Sequence, residues 1–144
     1  MRIHEVLRRK GHEVVTVAPE THVRQLIAVL AEHRIGAAVV STDGSTVEGI
    51  VSERDVVIAV AERGAAALSE PVSQIATTDV QTSGPDAQIQ DLMHVMTEHR
   101  VRHVPIVVEG ELRGIVSIGD VVKSRILELE VERSTLNDYI STAR

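Results

Sequence analysis

The feature that most constrains this chain is that it says the same thing twice. Val14-Val15-Thr16-Val17-Ala18-Pro19-Glu20 resembles Val80-Gln81-Thr82-Ser83-Gly84-Pro85-Asp86, and the two prolines lie 66 residues apart. Glu32-His33-Arg34-Ile35 matches Glu98-His99-Arg100-Val101 at the same offset. Gly49-Ile50-Val51-Ser52 then matches Gly114-Ile115-Val116-Ser117 at an offset of 65, so one loop is a residue shorter. Asp55-Val56-Val57 and Asp120-Val121-Val122 stay in step. A repeat of this length marks a supersecondary unit that needs its neighbour to bury an apolar face.

Each copy reads as strand, helix, strand, strand, helix. The β-branched runs Val14–Val17 and Val80–Thr82 predict a first strand. Val23, Leu26, Ile27 and Leu30 keep i, i+3, i+4, i+7 spacing, as do Ile89, Leu92, Met93 and Met96. Ala37–Ser41 and Val47–Val51 flank Asp43-Gly44, and His103–Val108 and Leu112–Val116 flank Glu109-Gly110, which predicts two hairpins. The fold class is therefore α/β, of the α+β kind: two βαββα units related by a pseudo-twofold axis, packed sheet to sheet. Residues 1–66 form the first repeat, 67–125 the second. Ile3–Lys10, stopped by Gly11, and Pro71–Ile75 are read as lead-in helices of their repeats.

A long helix over 118–143 closes the chain, about 35 Å long between Val116 and Ser141 at 1.5 Å per residue. Val122, Ile126, Leu129, Arg133, Leu136 and Ile140 are spaced 4, 3, 4, 3, 4, a heptad seam with one polar member. Such a stripe needs a partner, and a second subunit is preferred, giving a homodimer.

Composition removes several function classes. The 144 residues contain no cysteine, which rules out disulfides and thiolate metal sites. Tyr139 is the only aromatic residue and the net charge is −6, a poor match to a nucleic-acid binder, which uses a basic face and stacking rings. No apolar run approaches the roughly 20 residues that span a bilayer, and no secretory signal opens the chain. The cytoplasm is the expected location. No nucleophile–base arrangement, Gly-x-Ser-x-Gly elbow or Gly-rich phosphate loop is present, so no enzyme is expected. His99 and His103 are four apart, but the helix ends between them and no third ligand stands at metal spacing, so no metal is expected.

The words Gly49-Ile50-Val51-Ser52-Glu53-Arg54-Asp55 and Gly114-Ile115-Val116-Ser117-Ile118-Gly119-Asp120, with His99-Arg100-Val101-Arg102-His103-Val104-Pro105-Ile106, resemble the CBS (cystathionine-beta-synthase) domain family. The likeness covers about residues 3–125 and implies a tandem pair, often called a Bateman module, here resembling the stand-alone bacterial type. It implies a regulatory sensor that binds AMP, ADP, ATP, NAD(H) or S-adenosylmethionine in clefts between the repeats and acts on an unidentified protein partner. It also implies a flat homodimer.

Adenosine offers a flat apolar ring and a ribose diol. A fixed carboxylate can accept both hydroxyls in charge-assisted bonds. Asp55 and Asp120, each opening a helix after a strand, fit that role, with Ser52 and Ser117 beside them. Ser-x-x-Asp before an apolar helix is equally a capping box, and the two roles can coexist. The resemblance maps Thr77, Val80, Val101 and His103 onto the Asp55 cleft. It maps Gly11, Val14, Ile35 and Ala37 onto the Asp120 cleft. Thr77 supplies a hydroxyl where Gly11 supplies none, so the Asp55 cleft is the preferred site. Arg54 can reach a phosphate. Arg102 and His103 stand where kinase gamma-subunit-like repeats carry a His-Arg pair, here in reversed order, and the first repeat has Gly36 and Ala37 instead. Ordinary solvated arginines and core valines remain the plain alternative. The competing function is a ligand-free interaction and dimerisation module working through the last helix.

Overall fold

The computed structural model describes residues 1–142. The expected Ala143 end of the last helix lies outside the described residues. After α1 (Ile3–Lys10) comes β1 (Thr16–Val17), α2 (Val23–His33), β2 (Ala37–Val40), β3 (Gly49–Ser52) and α3 (Glu53–Arg63). Short 3-10 turns at Gly64–Ser69 and Val72–Gln74 lead to α4 (Ile89–His99), β4 (His103–Val108), β5 (Glu111–Ser117) and α5 (Ile118–Thr142). One sheet has the order β1-β2-β3, with β1 parallel and β3 antiparallel to β2; the other is the antiparallel pair β4-β5.

The helices sit where the apolar spacing puts them. Val23, Leu26 and Leu30 of α2 and Ile89, Leu92 and Met96 of α4 are buried, while Ile27 and Met93, at equivalent positions, stay at the rim. Both helices end on an arginine in the left-handed region, Arg34 (φ 55°) and Arg100 (φ 54°). The chain then folds back through Ile35 N to Leu30 O (3.1 Å) and Val101 N to Met96 O (3.1 Å). These are the six-to-one bonds of a Schellman end.

Two strand expectations change. The Val80–Thr82 strand is not formed; only Ser83 pairs there, in a single parallel bridge with Ile106. In the first repeat Val39 N donates to Val15 O (3.1 Å) and Ser41 N to Val17 O (2.9 Å). The second repeat keeps the equivalent of the latter, Val107 N to Ser83 O (2.9 Å). It cannot make the former, because the residue matching Val39 is Pro105, which has no N–H. The first hairpin is also shorter than expected. Asp43 accepts from Ser45 N (2.8 Å), Thr46 N (2.7 Å), Thr46 Oγ1 (2.9 Å) and Ser41 Oγ (3.1 Å), which gathers the loop and ends the ladder at Val40 and Gly49. Glu109 and Gly110, with φ of 51° and 81°, do make the tight turn between β4 and β5.

The lead-in segments pack across the repeats. Ile3, Val6 and Leu7 of α1 are buried with Ile89, Leu92, Met96, Val104, Ile106, Val116 and Val121 of the second repeat. Val72 is buried with Val17, Val23, Leu26, Val40 and Val51 of the first. The backbone repeats the exchange: Ile3 N donates to Ala87 O and Ile89 N to Met1 O, while Val23 N donates to Glu70 O and Val72 N to Thr21 O. Each lead-in completes the opposite half, not the repeat it precedes. Gly114 makes this possible, since a Cβ there would lie 2.7 Å from Leu7 Cδ2. Gly49 does the same for the linker, where a Cβ would lie 3.0 Å from Thr77 O.

Candidate functional site

The turn from β3 into α3 is built by Ser52 and Asp55. Ser52 caps the helix, with Asp55 N donating to its Oγ at 3.3 Å. In return Ser52 N and Ser52 Oγ donate to Asp55 Oδ2 at 2.8 and 3.0 Å. The capping box expected from sequence is therefore present, and it uses one carboxylate oxygen only. Asp55 Oδ1 has no hydrogen bond among the described residues, and Asp55 lines a cavity of about 590 Å³.

That cavity lies between the two repeats. Ser52, Arg54 and Asp55 line it from the first repeat, and Thr77, Val80, Val101, Arg102 and His103 from the linker and the second. Ala37, which the family likeness mapped to the Asp120 cleft, lines this cavity, because β2 pairs with β3 and sets Ala37 opposite Ser52 at the mouth of α3. Ser117, Asp120, Val14 and Ile35 are not on its wall. Thr77 is held by backbone bonds in both directions with Ile50 (2.9 Å each), so its hydroxyl is the polar group it can offer.

Ile50, Val57, Val80 and Val101 give the cavity aliphatic faces. Arg54, Arg100 and Arg102 line it, and none is in an ion pair among the described residues. Sequence reasoning missed Glu53, Asp79, Gln81 and Arg100 on this wall. Asp79 and Gln81 were hidden by the strand expectation, since alternation would have turned Val80's neighbours away. Gly36 leaves room where a Cβ would meet Glu53 Oε1 at 3.4 Å and His103 Cε1 at 3.5 Å. Burial, helped by the Lys10 and Arg102 charges and opposed by Glu53 and Asp120, pushes the His103 pKa below its ordinary value.

The second copy of the motif is in a different state. Ser117 N and Oγ donate to Asp120 Oδ2 at 2.8 and 2.9 Å, repeating the box. Lys10 Nζ also donates to that same oxygen, at 2.5 Å, and to Ile115 O at 2.7 Å. Burial works against the Asp120 carboxylate, but the Lys10 bond and charge and the Ser117 bonds together hold its pKa below the ordinary value. The position matching Lys10 in the second lead-in is Ala76, which brings no charge to Asp55.

A second hollow, about 540 Å³, runs along α5 and is lined by Ile118, Val122, Ile126 and Leu127 with Lys123 and Glu130. The expected seam residues Val122, Ile126, Leu129, Leu136 and Ile140 are all exposed. Among the described residues no three His, Asp or Glu side chains gather as a metal-ligating set. No described helix is long and apolar enough to cross a membrane.

The sequence profile of the CBS domain matches residues 3–62 and again 72–126. The chain belongs to the CBS-domain family. A CBS-domain-containing protein from Agrobacterium tumefaciens has the same architecture, with 45% sequence identity and a TM-score of 0.84 over 87% of this chain and 99% of that one. A CBS domain protein from Pyrobaculum aerophilum, solved complexed with AMP, is 31% identical with a TM-score of 0.79 over 92% of this chain and 99% of that one. Among curated proteins, the mitochondrial CBS domain-containing protein CBSX3 of Arabidopsis thaliana is 30% identical over 96% of this chain and 71% of its own length. YhcV of Bacillus subtilis is 27% identical over 79% and 80%. The tandem CBS arrangement read from the repeat is thus the fold of this protein.

Proposed function

We propose that this CBS pair is a regulatory module that binds an adenine nucleotide of the AMP, ADP, ATP or NAD(H) class in the Asp55 cavity and catalyses nothing. The observation that carries the reading is the free Oδ1 of Asp55, held rigidly by its own capping box at the wall of a cavity of about 590 Å³. The ribose diol donates to that oxygen, a charge-assisted contact. Thr77 Oγ1 and Ser52 Oγ stand by the sugar. The base lies between Ile50, Val57, Val80 and Val101, and takes its polar bonds from backbone, since no ring is available to stack on it. Arg54, Arg100 and Arg102 take the phosphate end, with His103 beside them. The AMP complex of the Pyrobaculum aerophilum relative supports an adenine ligand. In the ligand-bound state the repeats prefer one packing, and a protein partner reads that preference.

The module works as a homodimer in the cytoplasm, with a second copy covering α5. Exposed Val122, Ile126, Leu129, Leu136 and Ile140 favour this, because two identical heptad seams are complementary to each other. The same seam supports the second reading, a ligand-free dimerisation module.

Calorimetry with AMP, ATP and NADH separates the two. Asp55→Asn keeps a capping oxygen and removes the charge, and it is expected to lower affinity about 10–100-fold, the worth of one charged hydrogen bond. Equal binding by wild type and Asp55→Asn eliminates the ribose contact. Absence of heat and thermal shift with every nucleotide leaves the ligand-free reading standing.

A further inference from the structure

The two halves of this chain repeat a carboxylate at a helix mouth, yet the structure treats the two carboxylates differently. Both leave Oδ1 without a hydrogen bond among the described residues, but Asp55 does so at the wall of an open cavity and with no cation on its carboxylate. Asp120 receives Lys10 Nζ at 2.5 Å, and the same ammonium is tied to Ile115 O at 2.7 Å. The pair is partly withdrawn from water, with side-chain exposures of 30% for Lys10 and 23% for Asp120.

Lys10 is well placed to stay there. It is the last residue of α1, and α1 is pinned into the second core by Ile3, Val6 and Leu7. Gly11 follows at φ 107° and ends the helix, so the lysine stem starts from a fixed point. A cation anchored in this way competes with a free ligand at a high effective concentration. Lys10 sits on the same oxygen as the capping box and leaves Asp120 Oδ1 without a hydrogen bond among the described residues, so it opposes a neutral diol by neutralising the carboxylate's charge and crowding it, not by using up its acceptors. At the matching place before the other repeat stands Ala76, with no group to offer.

We propose that Lys10 is a built-in cation on the Asp120 carboxylate, which reduces this CBS pair from two potential nucleotide sites to one. Lys10 is thereby a specificity-determining residue: it selects which of two similar clefts answers the ligand. The inference rests on the ribose-accepting role given to the Asp55 carboxylate above.

The test is binding stoichiometry per chain, by calorimetry with AMP and with ATP, on full-length wild type, Lys10→Ala and Lys10→Met. Methionine keeps a long apolar stem and helix propensity should alanine disturb the α1 end. Wild type is expected to bind one equivalent, abolished or weakened at least 10-fold by Asp55→Asn. Lys10→Ala or Lys10→Met is expected to bind two, returning to one when Asp120→Asn is added. Two equivalents in wild type, or one equivalent unchanged in both Lys10 variants, overturns the Lys10 assignment and leaves the Asp55 site intact. One equivalent gained only on removing Lys10, with none in wild type, keeps Lys10 as the blocking cation and overturns Asp55 as a site. No binding by any variant overturns both.

Discussion

The contact between Leu7 of α1 and Gly114 of β5 joins the start of the chain to the second repeat, and a double-mutant cycle measures it. Leu7 is 2% exposed in the second core. Leu7→Ala deletes three carbons at roughly 0.8 kcal/mol each and leaves a cavity, for a total loss of about 3 kcal/mol. Gly114→Ala adds a Cβ that would sit 2.7, 3.0 and 3.4 Å from Leu7 Cδ2, Cδ1 and Cγ. Carbon pairs rest at about 3.5–4.0 Å, so Leu7 must withdraw by nearly a bond length into a packed core. Such overpacking costs about 1–3 kcal/mol, offset by ~0.4–1 kcal/mol from the stiffer unfolded chain. In the double variant all three offending atoms are gone and the new methyl enters the space they left. Its loss is expected to fall short of the sum of the single losses by about 1–2 kcal/mol, well beyond the scatter of independent sites. Urea unfolding followed by far-UV circular dichroism is the assay, since Tyr139 is 71% exposed on α5 and there is no tryptophan to report on the core. Additivity within ~0.5 kcal/mol would refute the packing of α1 on the second repeat.

Two further outcomes follow from the titrating groups and from α5. Burial lowers the His103 pKa from its ordinary 6.5, so the unfolded chain takes up this proton at a higher pH than the folded chain. Stability is then full above that value and falls as pH drops below it; urea midpoints at pH 7.5 and 5.5 should differ more in wild type than in His103→Gln, and equal differences would count against the buried imidazole. Removing the chain after Arg125 deletes Ile126, Leu129, Leu136 and Ile140 from the seam. Light scattering should then show a dimer becoming a monomer, and Leu136→Glu alone should weaken it about 10-fold or more, since burying one such side chain contributes roughly 1.5–3 kcal/mol; an unchanged dimer would move the contact elsewhere.

Much of the candidate site was legible because it is local or repeats. Ser52 and Asp55 are three residues apart, so their box follows from helix geometry alone. Thr77, Val80, Val101 and His103 reached the Asp55 cavity through the repeat relation and the family likeness. Val80–Thr82 reads as a strand from its own β-branched residues, but a strand also needs a partner that can donate. Pro105, which removes the required donor, lies on a strand more than twenty residues further on. Ala37 lines the Asp55 cavity because its strand pairs with β3, a neighbour relation that the repeat alone does not give.

The sequence by itself determined the helices and hairpin strands of each repeat, the two helix-opening carboxylates and the apolar seam of α5. Each is written in spacings of three or four residues, or in a repeat. Only the tertiary structure decided that each lead-in packs into the opposite half, and that Lys10 reaches Asp120 across 110 positions. Both depend on which surfaces meet, and the repeat makes the two helix mouths look alike until the neighbouring lead-in, with lysine at one and alanine at the other, is folded against them.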